Sequence, residues 1–126
     1  MEAAELRRKH FEDNYAERRK DKAYENNTVC GFGSEKEHTR DMIEILHSVV
    51  TKIKTILGKE KIRFLDSSCG DMFWMPEFLL DRMGDVDFTG YDLSQGNIDN
   101  NREKYGKHGW TFKVIGRMIL ELTFNC

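Results

Sequence analysis

Between residues 42 and 57 the apolar positions Met42, Ile43, Leu46, Val49, Val50, Ile53, Ile56 and Leu57 recur at steps of three and four. That spacing predicts a long amphipathic helix, opened by a Ser34/Glu37 capping box and closed by Gly58 as a left-handed cap. Residues 1–24 carry a sparser stripe, Leu6, His10, Phe11 and Tyr15, at helical spacing but with too little apolar surface to bury deeply. They read as a peripheral helix. Residues 26–33 show no period and read as a loop or a clamp over something else.

Beyond Gly58 the apolar runs shorten. Residues 62–65 and 87–92 read as strands, and so do residues 110–115. Pro76 suits a first helical turn, where its missing amide costs nothing, and Phe78, Leu79, Leu80 and Met83 extend that helix towards Gly84. Ser94 can cap the next helix, which carries Ile98 and ends at Tyr105-Gly106. Strands alternating with helices predict a parallel sheet with right-handed crossovers. In the tail, Met118, Leu120, Leu122 and Phe124 alternate after Gly116-Arg117. A type II′ hairpin laying this tail antiparallel on the third strand and a frayed terminus are both compatible with that pattern.

At 126 residues the chain is one domain at most. We divide it into a charged helix and loop over residues 1–33 and an α/β domain over residues 34–126. Twenty basic and 22 acidic residues give a net charge of -2, so no overall attraction to nucleic acid or an anionic membrane is expected. The basic residues between 7 and 22 read as a solvated helix face rather than an RNA contact. With no secretory leader or membrane-spanning run expected, and Cys30, Cys69 and Cys126 an odd set without metal-ligand spacing, an intracellular, cytoplasmic protein is expected. The sequon at Asn26 is then coincidental. His10, His38, His47 and His108 share no spacing that makes a metal site.

The candidate chemistry sits where the first strand ends. Phe64-Leu65-Asp66 runs into the small residues Ser67, Ser68, Cys69 and Gly70, then Asp71 and Met72, before a helix start at Trp74-Met75-Pro76. Strand, tight turn and helix in that order seat nucleotide-like ligands at strand carboxyl ends. Asp92 follows Gly70 by 22 residues at the end of the second strand, near the ~20 expected of an acid that bonds ribose hydroxyls. A nicotinamide dinucleotide is the competing ligand, although Ser68, Gly70 and Met72 supply only one of the three glycines its fingerprint wants. Cys69 reads as a small turn residue rather than a nucleophile. Phe73 and Trp74 suit either a pocket wall or a core anchor.

Residues 64–76 resemble the variant motif I of a subgroup of class I S-adenosylmethionine (SAM) dependent methyltransferases, with Asp, two variable or small residues, Cys-Gly-Asp, an apolar residue and Trp-Met. Phe88-Thr89-Gly90-Tyr91-Asp92 resembles the second acidic motif, and residues 31–39 are similar to a glycine-serine segment and helix that precede the fold. That segment would either close over the cofactor or simply open the helix. The resemblance covers roughly residues 62–115. It implies a partial Rossmann-like, three-layer α/β fold with a mainly parallel sheet and N-terminal helices. It also implies SAM as cofactor, held by Asp66, Ser67, Ser68, Cys69, Gly70, Asp71, Met72, Asp92 and Leu93, with Asp66 at the amino acid end and Asp92 at the ribose. Gly116-Arg117-Met118 stands where the family places an acid near the adenine, and its further strands do not follow. The expectation is therefore a truncated methyltransferase, transferring a methyl group to an unknown acceptor. The alternative is an inactive module that binds cofactor or a partner, self-association through an exposed first-strand edge included.

Overall fold

Phe64, Phe88 and Phe112 stand on the same face of three adjacent strands, and their rings pack across the sheet. A computed structural model describes residues 2–21, 28, 30 and 36–115, with backbone alone at 36 and 37. The Ser34/Glu37 capping box, the glycine-serine segment and the alternating tail lie outside the described residues. Strands β1 (Ile62–Asp66), β2 (Val86–Asp92) and β3 (Thr111–Val114) pair in parallel in the order β1-β2-β3. Phe64 lies beside Phe88, Asp66 beside Gly90, and Asp92 beside Val114.

Helices α2 (Lys36–Leu57), α3 (Met75–Leu80) and α4 (Gln95–Tyr105) all lie on one face of this sheet. Val50, Phe78, Leu79 and Ile98 from those helices share one core with Ile62, Val86, Phe88 and Phe112 from the strands. Ring contacts run through it: His47 to Phe78 at 5.0 Å, Phe78 to Phe64 and Phe64 to Phe88 at 5.9 Å, Phe88 to Phe112 at 6.3 Å. Each adds about 0.5–1.5 kcal/mol beyond its area burial. The other face carries Arg63, Leu65, Asp87, Thr89, Tyr91, Thr111 and Lys113, half-buried or exposed. The described residues thus build two layers, a helix layer and a sheet; the third layer expected of the fold is not among them.

Local chemistry sets the element ends. Gly58 takes φ 61° after α2, and the Ser94 hydroxyl accepts from the Asn97 amide at 3.0 Å to open α4, which a 3-10 turn over Gly106–His108 continues. Helix α3 stops at Leu80, short of the expected Met83. The Arg82 guanidinium donates to His47 Nδ1, the His47 carbonyl and Thr51 on α2 at 2.9 Å each, and to Asp85 at 3.2 Å. Asp85 also accepts from Lys54. This fan of bonds draws the chain out of helical geometry into a turn.

Gly90 shows how tightly the sheet closes under the site. A Cβ there would lie 3.0 Å from both Cβ and Sγ of Cys69 and 3.2 Å from the Phe112 ring. Gly90→Ala should therefore destabilise by about 1–3 kcal/mol through overpacking. Urea unfolding reads this as a lower midpoint at unchanged slope, and an unchanged midpoint would refute the contact.

Candidate functional site

Because all three strands run the same way, Asp66 and Asp92 reach the carboxyl edge of the sheet together. A cavity of about 430 Å³ opens there. Asp66, Ser68, Cys69, Gly70, Asp71, Asp92 and Leu93 line it. Of the other residues singled out in the sequence, Ser67 is exposed outside this lining, and Met72 is 1% exposed within the core. Met72 takes φ 57°, a left-handed backbone uncommon outside glycine, which turns its side chain inward after the Cys69 carbonyl has accepted its amide at 3.2 Å. Phe73 and Trp74 both line the cavity, and Trp74 also packs on the core.

Asp92 organises the loop. Its Oδ1 accepts from the Gly70 amide at 3.3 Å, and its Oδ2 accepts from the Ser94 amide at 3.1 Å and Asn97 Nδ2 at 3.2 Å. The Cys69 amide donates to the Tyr91 carbonyl at 2.8 Å, and Asn101 Nδ2 donates to the Gly70 carbonyl at 2.8 Å, so the turn is tied to β2 and α4. Among the described residues Asp66 accepts only from the Ser68 amide, at 3.1 Å. Burial pushes both carboxyls above the usual carboxylate range. The Ser68 amide offsets part of this at Asp66 while the charge of Asp92 adds to it; at Asp92 its three donors offset part and Glu12 adds to it.

Sequence reasoning missed two contributors. The first is α1 (Ala3–Lys20), which has no buried residue yet supplies Phe11 and Tyr15 to the cavity wall. It is held by Arg8 donating to the Ile115 carbonyl at 3.1 Å and by Arg19 donating to Asn97 Oδ1, the same amide that holds Asp92. The boundary drawn at residue 33 thus divides in sequence what the fold joins. The second is the pair Thr28 and Cys30. Thr28 Oγ1 donates to Asp71 at 2.9 Å, and the Asp71 amide donates to Cys30 Sγ at 3.2 Å. Cys30 Sγ lies 2.5 Å from where a Cβ on Gly70 (φ 58°) would stand. The open side of Gly70 therefore receives a thiol, where the sequence suggested a ligand. Burial and the charge of Asp71 push the Cys30 thiol up to about 12, and burial raises Cys69 and Tyr15 as well, so all three are neutral near pH 7.

Among the described residues no group of three His, Cys, Asp or Glu is placed to hold a metal ion, and no helix is long and apolar enough to cross a membrane. Compared with known proteins, the chain matches no family model, no curated protein and no solved structure.

Proposed function

We propose that the cavity binds SAM and that the chain is a methyltransferase-like protein acting on an acceptor still to be found. The charge of the cavity carries this reading. Asp66, Asp71 and Asp92 line it with His38, Glu12 adds its charge to Asp92, and none of the described lining residues is Lys or Arg. A cationic sulfonium and ammonium suit such a wall, whereas the diphosphate of a dinucleotide would be repelled by it. The volume falls within the ~300–1,000 Å³ usual for cofactor sites. Asp66 has one oxygen engaged by Ser68 and the other without a described partner, which leaves it able to accept from the ammonium. Asp92, although already holding the loop, keeps lone pairs for a ribose hydroxyl.

When bound, SAM supplies an electrophilic methyl for a single in-line displacement. The chain's own part is to orient and to exclude water. Phe11, Phe73 and Trp74 wall the cavity, and neutral Tyr15 and Cys30 shape it without taking up a proton. The alternative of a non-catalytic interaction module is favoured by one observation, that among the described residues no strand pairs with the outer side of β1.

Calorimetry across pH tests the cofactor. The folded state keeps protons on Asp66 and Asp92 that the unfolded chain releases at the ordinary carboxylate pKa. Their contribution to the stability of the ligand-free protein therefore falls as pH rises from that value through the raised ones. SAM affinity should move the other way, weakening as the carboxylates protonate. Asp66→Asn should bind SAM about tenfold or more weakly yet raise the melting temperature of the free protein at neutral pH. Binding of NAD in place of SAM, or no SAM binding near ~1 mM, would overturn the reading.

A further inference from the structure

Helix α1 holds its docked place against opposing forces. Its 18 residues include no buried one, yet Phe11 and Tyr15, stacked with ring centroids 5.9 Å apart, form part of the cavity wall. Helices in proteins owe most of their stability to a packed apolar face. On α1 that face is narrow, and Leu6 is 53% exposed. Polar side chains meet the carboxyl edge of the sheet instead. Arg8 donates to the Ile115 carbonyl just after β3, and Arg19 donates to Asn97 Oδ1 in the first turn of α4. Glu12 and Arg19 close over Gly96, where a Cβ would lie 3.3 Å from Glu12 Oε2 and 3.2 Å from Arg19 Nη1.

Two features weigh against this position. Glu12 Oε1 is buried with no hydrogen-bond partner among the described residues, and a charged group left unsatisfied in such a place is costly. The charge of Glu12 also acts on Asp92, carboxylate against carboxylate. One link then ties α1 to the site. Asn97 is fully buried, and while its Oδ1 accepts from Arg19 its Nδ2 donates to Asp92 at 3.2 Å. Helix α1 thus stands one amide away from the acid that holds the Gly70 loop.

We propose that α1 is a lid, which leaves the cavity wall and returns to it while the sheet and the other helices stay folded, and which a cation bound in the cavity closes. Such a ligand gains the faces of Phe11 and Tyr15 and offsets the repulsion between Glu12 and Asp92. Because it binds the docked form more tightly than the open one, it shifts the balance towards docking. Release of the ligand then waits for α1 to reopen. The identity of the cation rests on the SAM reading, whereas the opening of α1 in the free protein does not.

Hydrogen exchange read by mass spectrometry tests both parts. In the free protein the amides of α1 should exchange about a hundredfold or more faster than those of β2, since they open without global unfolding. SAM should slow them about tenfold or more. Glu12→Gln removes the repulsion and should slow α1 exchange about threefold in the free protein. Arg19→Ala cuts the link to Asn97 and should speed both α1 exchange and SAM release about tenfold, with the urea midpoint of the core little changed. The lid is overturned if α1 is as protected as β2 in the free protein, or if Arg19→Ala leaves α1 exchange unaltered. It is overturned equally if SAM binds and α1 exchange stays the same. Should SAM fail to bind while both variants shift α1 exchange as expected, the cofactor reading alone falls and the lid stands.

Discussion

Asp92→Ala should abolish SAM binding and lower stability by about 1–3 kcal/mol. The carboxylate at 8% exposure accepts from Gly70, Ser94 and Asn97, and alanine would leave those donors unsatisfied in a buried place. Losing a carboxylate that is itself costly to bury returns part of that penalty, which is why the figure stays near that of a single orphaned group. The larger effect is on geometry. With Asp92 gone the Gly70 amide loses its anchor, and Asn97 loses the group through which Arg19 of α1 is linked to the loop. Calorimetry should show SAM affinity down by about a hundredfold or more, since both a ligand contact and the loop position go together. Affinity kept within about threefold would show that Asp92 only supports the turn.

Phe78→Ala should cost about 3–5 kcal/mol, the range for emptying an aromatic site in a packed core. Phe78 is fully buried and joins His47 of α2 at 5.0 Å to Phe64 of β1 at 5.9 Å, so its loss uncouples the helix layer from the sheet. Domains are stable by only about 5–15 kcal/mol, and a small two-layer domain has few other contacts to fall back on. Urea denaturation should give a midpoint reduced by a third or more, and near-ultraviolet dichroism should weaken at ambient temperature. A loss under about 1 kcal/mol would mean the cavity collapses without strain.

Much of the fold was legible because helices and strands impose their periods on a chain locally. The stripe from Met42 to Leu57, the cap at Ser94 and the short apolar runs of β1, β2 and β3 all appear in the structure where the pattern puts them. So does the convergence of Asp66 with Asp92, since two acids at the ends of consecutive parallel strands must share an edge. The stop of α3 at Leu80 was not legible. It depends on Arg82 reaching α2, thirty-five residues back at His47, which no local period records.

The site was legible only in half. Asp66 to Asp71 stand together because they are contiguous, and Asp92 joins them by strand order. Thr28 and Cys30 come from a stretch without periodicity and Phe11 and Tyr15 from a sparse helical stripe with no sign of where it docks, so only packing brings them to Gly70 and the cavity. Sequence alone determined which residues would be helical, which extended, and which acids would lie at the carboxyl edge, for these follow from backbone geometry over a few residues. The tertiary structure decided that a thiol fills the space beside Gly70, that Met72 turns into the core, and that Phe11 and Tyr15 of α1 reach the cavity. Those outcomes turn on contacts between distant segments, whose approach is set by crossovers and register rather than by any local pattern.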